Sequence, residues 1–456
     1  MSEPAEGGRH RRPEGGEAPG DNGGPARIGA EDVLAGPPPA VAPAERRRDR
    51  PSPWSRPRDR VIVVLIVVVA VVAGVVVWAG SASRATIQET SAPGTPLPPS
   101  PPTVPATLRE LWQAPSSAAP VPIAEGTAVA TAEGGEIAGR DPMTGDIRWR
   151  YSRDLPLCTA TEVWGRVLAV FRKDGVNGES GCSEVIGLAI DTGQRKAQRT
   201  GSAQLGTGLV TDGSQVTATG PDLLVTWRDD LVETNEYGRV PALINPDKQP
   251  RTGCTYGSVA MASSRIGVIE RCPGDPGDRL TVMKSVPKEA DQPQVSFSAI
   301  MPGRDAKVVA MSGNYTAVAM PHQKLLVLYD EDGEQTAAYP LDLPGSDLAQ
   351  DPEGRVAPTT STTSNVYWFT GSKMMALSRD DLTPLWTLNG AVGPGVTFAH
   401  QLVVPIEGGL AVLNESDGST IRTIAVDRHG YTGPVRLTAM GPVLLEQRGD
   451  TLVALS

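Results

Sequence analysis

The sequence predicts an all-β protein, an eight-bladed β-propeller (alternatively seven-bladed) preceded by a single transmembrane helix and a disordered N-terminal tail. Three observations predict this class. Short apolar runs alternate with Gly, Asp and Asn turns, which is typical of small strands. A strand-turn-strand unit recurs along the C-terminal part of the chain, which indicates a repeat architecture. One run of twenty residues lacks any charged or polar side chain, which is long enough to cross a bilayer.

Residues 1–60 predict a disordered cytoplasmic tail. They contain 11 Pro, 9 Gly and 11 Arg and very few large apolar side chains. Such a segment cannot bury enough apolar surface to offset the entropy that ordering would cost. The sequence leaves open whether the tail binds a partner or is a solvated spacer.

Residues 61–80, VIVVLIVVVAVVAGVVVWAG, predict the transmembrane helix. At about 1.5 Å per residue the run spans roughly 30 Å, the thickness of a bilayer core. Seven arginines lie between residues 46 and 60, whereas Arg84 alone follows the run closely. The excess of positive charge before the helix predicts a plasma-membrane protein with a cytoplasmic N-terminus and an extracytoplasmic C-terminal domain. A cleaved signal peptide is the alternative.

Residues 81–106 predict a proline-rich linker. Seven of the thirteen residues from 93 to 105 are proline, and such a run favours an extended polyproline conformation. The linker could be a stalk that holds the following domain away from the membrane, or a generic spacer.

Residues 107–456 predict the β-propeller. Successive units begin 36 to 50 residues apart, which fits four-stranded blades of roughly 40–50 residues. The units begin near Thr127, Arg166, Gln215, Arg265, Tyr315, Asn365, Gln401 and Gly441. The last unit lacks its outermost strand, and we expect Leu108–Gln113 to supply it by pairing with Thr451–Leu455, which would close the ring.

The fullest unit contains a turn with a recognisable spacing. Asp141, Thr144, Gly145 and Trp149 resemble the repeat of pyrroloquinoline-quinone-like (quinoprotein alcohol dehydrogenase-like) β-propellers, with Gly139 in place of the usual Ala. The resemblance implies structural roles for these residues. Asp and Thr would cap a tight turn, Gly would adopt an unusual backbone angle, and Trp would dock against the next blade.

The resemblance does not extend to the quinone cofactor. Quinoprotein dehydrogenases of this fold carry two adjacent cysteines in a disulfide, a cofactor-stacking Trp and calcium ligands, whereas no two cysteines are adjacent here. We therefore expect a member of non-enzymatic type with no cofactor, no metal and no catalytic residue.

The four cysteines, Cys158, Cys182, Cys254 and Cys272, lie in the part of the chain that we expect outside the cell, where disulfides persist. Four cysteines allow three connectivities. We predict Cys158–Cys182 and Cys254–Cys272, each cross-linking one blade. A redox or zinc site is the alternative, although no C-x-x-C spacing supports it.

The remaining polar and aromatic candidates have simple explanations. Three histidines fall in predicted loops beside no catalytic pattern, namely His322, His400 and His429. Three tryptophans could form a ligand platform, but we favour packing between blades for them, namely Trp164, Trp227 and Trp368.

The composition also bears on partners. A net charge of −10 argues against nucleic acid as a partner. We expect a single-pass, membrane-anchored, extracytoplasmic scaffold that binds a protein of the bacterial cell envelope. Its form resembles the assembly-factor propellers of bacterial envelopes, although those are lipid-anchored. The alternative is a propeller that binds or processes a small ligand or a cell-wall sugar in its central funnel.

Overall fold

The computed structural model describes residues 56–79, 84–174, 178, 180–241 and 246–456. The predicted tail, apart from residues 56–60, lies outside the described residues.

One α-helix, Pro57–Ala79, contains almost all of the apolar run. Its 23 residues are mostly valine, isoleucine and leucine, and none of its side chains is buried by the protein. At about 1.5 Å per residue the helix is roughly 35 Å long, enough to span a bilayer. Valine forms helices poorly in water, but lipid removes the competing solvent and leaves the helical hydrogen bonds as the way to satisfy the backbone. By length and composition this helix is a candidate membrane span.

The strands form eight antiparallel sheets of four core strands each, so the eight-bladed prediction is confirmed over the seven-bladed one. We name the strands of each blade A to D from the centre of the ring outward. In blade 1 they are Ile123–Glu125, Ala128–Glu133, Glu136–Arg140 and Ile147–Arg153; in blade 2, Leu157–Val163, Arg166–Phe171, Glu184–Ala189 and Arg195–Thr200; in blade 3, Leu209–Thr211, Val216–Thr219, Leu223–Trp227 and Glu233–Gly238; in blade 4, Thr255–Ala262, Arg265–Arg271, Arg279–Lys284 and Val295–Ile300.

The second half of the ring repeats the arrangement, and two short 3-10 helices, Pro246–Lys248 and Glu353–Arg355, lie between blades. In blade 5 the strands are Lys307–Met311, Thr316–Met320, Leu325–Tyr329 and Gln335–Pro340; in blade 6, Thr359–Ser361, Asn365–Phe369, Lys373–Ser378 and Pro384–Asn389; in blade 7, Val396–Phe398, Gln401–Ile406, Gly409–Leu413 and Thr420–Ala425; in blade 8, Val435–Met440, Val443–Arg448, Thr451–Leu455 and Glu110–Pro115.

Residues from the two ends of the domain close the ring, as predicted. Strand Glu110–Pro115 pairs antiparallel with Thr451–Leu455, and Gln113 lies opposite Val453. The pairing gives the last blade its outermost strand and covers the edge that an open ring would expose.

The core of the protein lies between adjacent blades. Both faces of a blade are covered by its neighbours, so its central strands are short, continuous apolar runs. Thr316–Met320, for example, is buried at every position. The outermost strands alternate instead, as in Pro384–Asn389, because they lie at the rim.

Residues 86–106, which we call the strap, pack along the propeller, unlike the free-standing stalk that the proline content suggested. Thr86–Glu89 pairs antiparallel with the outermost strand of blade 1 and adds a fifth strand to it. Farther along, the Ser100 hydroxyl donates to the Gly441 carbonyl at 2.8 Å. Val104 is 2 % exposed in the cluster between blades 7 and 8. Composition predicts the extended backbone, but the docking depends on apolar contacts and main-chain hydrogen bonds.

Candidate interaction face

The residues of the repeat turn hold blade 1 together. The Asp141 carboxylate accepts hydrogen bonds from the backbone N–H groups of Met143 and Thr144 at 2.9 and 3.1 Å. Gly145 has a φ of 76°, a conformation that strains other residues. A Cβ atom on Gly139 would overlap the indole of Trp149, so the small residue at this position lets the ring lie flat on the strand.

Trp149 links blade 1 to blade 2. It is fully buried, and its indole Nε1 donates to the Ile190 carbonyl of blade 2 at 2.7 Å. The ring covers Gly193 in the same turn of blade 2. Two other junctions repeat the contact. Trp112 of blade 8 donates to Pro142 of blade 1, and Trp386 of blade 6 donates to Glu415 of blade 7. These tryptophans are therefore inter-blade contacts.

The connections between strands divide the ring into two unlike faces. Because consecutive strands are antiparallel, the A–B and C–D turns lie on one face, the turn face, and the B–C and D–A connections on the other, the loop face. The three longest connections, 172–183, 239–254 and 341–358, all begin and end on the loop face. Segment 285–294 leaves the turn face and folds along the rim, where Ala290 accepts a hydrogen bond from Glu236 of blade 3. The loop face therefore carries most of the sequence that departs from the repeat.

Both disulfides cross-link the loop face. Cys158 and Cys182 are bonded, with Cα atoms 6.1 Å apart, and tie segment 172–183 to the innermost strand of blade 2. Cys254 and Cys272 are bonded in the equivalent place in blade 4, with Cα atoms 4.2 Å apart. These are the two pairs named from the sequence, and they restrain two of the blades that carry long loops.

Segment 351–356 lies at the loop-face end of the central channel, and we call it the plug. It belongs to the connection between blades 5 and 6, and it contacts blades 3 and 4. The Gly354 carbonyl accepts a hydrogen bond from Thr219 of blade 3, and Val356 forms a parallel bridge with Val259 on the inner edge of blade 4. The Arg355 guanidinium donates to the Tyr256 carbonyl at 3.2 Å. Protein backbone therefore occupies the position where a funnel ligand would enter from this face.

Ion pairs hold the plug in place. Asp351 pairs with Arg271 and lies 3.6 Å from the ammonium of Lys307. Burial alone would raise the pKa of Asp351, but the hydrogen bond and charge of Arg271, together with Lys307, outweigh burial and lower this pKa below its usual value. On the other side of the channel, burial lowers the pKa of Arg436 to about 10, and the charge of Glu353 in the plug opposes this effect.

Beneath the loops, two buried carboxylates are satisfied by side chains of neighbouring strands and connections. Glu270 is fully buried and accepts hydrogen bonds from the Tyr237 hydroxyl at 2.6 Å and from Arg251 at 2.8 Å. Glu184 is 1 % exposed and pairs with Arg153 and Lys173, each at 2.8 Å. A buried carboxylate with this many partners fixes the strands and connections that supply them. The loop face thus rests on a rigid base.

One group of donor atoms has the composition of a metal site. Cys254, Glu270 and Cys272 have ligand atoms within 4.8 Å of one another. Both sulfurs are engaged in the disulfide, however, and Arg251 neutralises the carboxylate. A metal requires free thiolates, so this group does not fit a metal in the oxidised protein.

The other candidates from the sequence do not assemble into a reactive centre. Trp227 and Trp368 are fully buried in separate core clusters, and Trp164 bonds a neighbouring turn, so they form no shared platform. The side chains of His322 and His429 are 82 % and 66 % exposed.

Sequence reasoning missed the plug and the strap, because no local pattern indicates which distant strand an irregular segment contacts.

Comparisons with known proteins agree on the fold. No protein-family model and no curated protein matches the sequence. The computationally designed Ika8 protein superposes with a TM-score of 0.51 at 13 % identity, covering 76 % of this chain and 98 % of its own. BamB from Moraxella catarrhalis superposes with a TM-score of 0.46 at 14 % identity, covering 77 % of this chain and 100 % of its own. Quinohemoprotein alcohol dehydrogenase ADHIIG from Pseudomonas putida HK5 superposes with a TM-score of 0.48 at 10 % identity, and the match covers 76 % of each chain. At these identities the likenesses concern the fold, which hosts many activities.

Proposed function

We propose that this chain is a single-pass, membrane-anchored scaffold of the bacterial cell envelope, whose extracytoplasmic propeller binds another protein through its loop face. The domain limits are those proposed from the sequence, with a cytoplasmic tail at 1–60, a membrane span at 61–80, a linker at 81–106 and the propeller at 107–456. The excess of arginine before the helix supports this orientation, as do the two disulfides, which persist in oxidising compartments.

The plug is the observation that carries the proposal. Ligands of ring-shaped folds enter a concave site lined by a few convergent polar groups. Here Gly354 and its neighbours lie at the loop-face end of the channel and are hydrogen-bonded to blades 3 and 4. Protein backbone at this end of the channel, beside disulfide-restrained loops, gives a pre-organised surface, and rigid surfaces of this kind bind proteins with little ordering cost. The geometry therefore favours a protein partner over a funnel ligand.

Site-specific photo-crosslinking in intact cells tests the proposal. A photoreactive residue replaces exposed Arg172 or His322 on the loop face, or exposed Ser214 or Asp380 on the turn face, in the full-length chain. We expect the loop-face probes to capture the same envelope protein and the turn-face probes to capture none. Equal capture from both faces, or the absence of any adduct, would contradict the proposal.

A further inference from the structure

Arg436 differs from the other basic side chains inside the ring. It lies on the innermost strand of blade 8 and is half-buried, yet its guanidinium forms no hydrogen bond or ion pair with any residue that the structure describes. Every other described lysine or arginine that is buried or half-buried donates at least one side-chain hydrogen bond. Burying a charge is costly unless a partner compensates it. Arg436 therefore carries an uncompensated positive charge.

Arg436 lies near the loop-face end of the central channel. It is the second residue of the innermost strand Val435–Met440, which begins directly after connection 426–434 of the loop face. Val435–Met440 is the edge strand of its sheet, so its free side borders the channel. The side chain of Arg436 is only half-buried, so solvent reaches it. A protein that covers the loop face can therefore approach this guanidinium.

The connections on both sides of Arg436 supply no carboxylate. Val435 donates its backbone N–H to a carbonyl of connection 390–395 at 2.8 Å, and the Thr438 hydroxyl donates to a carbonyl of connection 116–122 at 3.2 Å. Neither connection contains a charged residue. The immediate surroundings of the guanidinium are therefore apolar or neutral, and they do not compensate its charge.

Two acids of the loop face also leave Arg436 unpaired. Asp427, in the connection that precedes the strand, lies 3.4 Å from the imidazole of His429 instead. Glu353 of the plug is exposed and acts on Arg436 through its charge, but no ion pair joins the two side chains. Burial lowers the pKa of Arg436 to about 10, so the opposing charge of Glu353 does not offset the cost of burial. The site lacks a carboxylate in direct contact.

We propose that the protein bound at the loop face inserts the carboxylate of an aspartate or a glutamate into this end of the channel, where it pairs with Arg436. The inference rests on the proposed scaffold function and names the chemistry of that partner. A guanidinium binds a carboxylate through two parallel N–H···O hydrogen bonds. The pair loses water when the partner covers the loop face, which strengthens the attraction between the two charges.

The affinity of the full-length chain for the protein captured by the loop-face probes tests this pairing. Arg436→Met keeps the apolar stem of the side chain but removes its charge and its donors. We expect this variant to bind at least about thirtyfold more weakly, because the carboxylate of the partner is then buried without a counter-charge. Arg379→Met removes the same charge from an exposed turn of the turn face, so its affinity should equal that of the parent.

Thermal melts of the unbound variants separate a binding role from a structural one. Arg436 has no partner in the unbound chain, so Arg436→Met should melt no lower than the parent. Arg428→Met, in contrast, breaks a buried ion pair with Glu446 and should melt lower. An Arg436→Met variant that melts lower than the parent would show that the guanidinium is already satisfied, and it would overturn the proposal.

A reversal of charge identifies the acid in the partner. Val121 is 44 % exposed in connection 116–122, and a photo-crosslinker in its place marks the partner segment beside the site. Arg436→Glu should abolish binding, because it places two carboxylates together. Replacing one acid of the marked segment by arginine should then restore binding to Arg436→Glu. If no acid of that segment does so, the proposed pair does not form.

The remaining outcomes name other occupants of the site. If Glu353→Gln lowers the Tm of the parent but not that of Arg436→Met, the plug itself supplies the carboxylate and the proposal fails. It fails as well if sodium acetate or sodium phosphate raises the Tm of the parent but not that of Arg436→Met, while both bind the partner equally.

The failure of this inference is distinguishable from failure of the scaffold function. If the probes at Arg172 and His322 capture a protein that Arg436→Met binds as tightly as the parent does, the pairing is refuted and the scaffold stands. If those probes capture no protein, both proposals fail. Capture of a protein, weaker binding by Arg436→Met and restoration by the charge reversal together support the pairing.

Discussion

The contact of Trp149 with blade 2 leads to a quantitative prediction about the ring. Trp149→Phe keeps an aromatic ring at the junction but removes the Nε1 donor, which lies 2.7 Å from the Ile190 carbonyl. Leaving a buried acceptor without its partner costs about 1–3 kcal/mol. Unfolding entropy of about 2.1 cal/mol/K per residue, over roughly 350 propeller residues, gives about 0.7 kcal/mol/K. A loss of about 2 kcal/mol therefore lowers Tm by about 3 °C.

Differential scanning calorimetry of the full-length chain in detergent measures this shift. Trp149→Ala also removes the buried ring, so its cost of about 3–5 kcal/mol should lower Tm by about 4–7 °C. Trp164→Phe is the matched control, because its Nε1 bonds the Ser214 carbonyl at an exposed site and the change should stay within about 0.5 kcal/mol. If Trp149→Phe melts no lower than Trp164→Phe, the tryptophan contacts do not hold the blades together.

Three further predictions concern buried acids and a disulfide. Burial, followed by the charge of Glu233, raises the pKa of Glu236 to about 7. The folded state therefore binds more protons than the unfolded one between about pH 4.5 and 7, and stability falls as pH rises through that window. Glu236→Gln should raise the free energy of unfolding at pH 8 by up to about 3 kcal/mol and leave it unchanged at pH 4. Urea unfolding measures both values, and an equal effect at the two pH values would contradict the prediction. Burial would raise the pKa of Glu184, but Lys173, Arg153 and other hydrogen-bond donors lower it to about 2. The stabilisation that this lowered pKa gives is present above about pH 4.5 and is lost as pH falls toward 2. Glu184→Gln should therefore cost up to about 3 kcal/mol of stability at pH 7 and progressively less in acid. Thermal melts of both proteins across this pH range measure the difference, and a cost that does not shrink in acid would contradict the prediction. Replacing both Cys254 and Cys272 by Ser should cost about 3 kcal/mol in the chain-entropy interpretation, and a double variant as stable as the parent would show that this cross-link does not stabilise the loop face.

The sequence predicted the ring because local signals repeat. Apolar runs bounded by turns specify the strands, and the spacing from Asp141 to Trp149 specifies a turn in which the Asp141 carboxylate accepts backbone hydrogen bonds. The pairing of Glu110–Pro115 with Thr451–Leu455 could be predicted because a missing strand in one repeat requires a donor elsewhere. In these cases local pattern and global topology agree, which is the condition under which sequence reasoning works.

The plug and the strap were beyond such reasoning for a physical reason. Gly354 contacts Gly208, more than a hundred residues away, and the Cβ atom that Gly208 lacks would meet the Gly354 carbonyl at 2.5 Å. Nothing in the sequence around either glycine records this neighbour. The proline-rich strap is likewise extended in isolation, and pairing with blade 1 determines where it lies. Irregular segments take their positions from tertiary contacts, which a single sequence does not reveal.

Hydrogen exchange of the full-length chain, alone and bound to the protein captured by the loop-face probes, tests the proposed scaffold most directly. We predict slower exchange in the loop-face segments 272–278 and 341–358 when the partner is bound. The turn-face hairpins 141–146 and 414–419 should exchange at unchanged rates. Protection confined to the turn face, or no protection on either face of the ring, would contradict a scaffold that binds through its loop face.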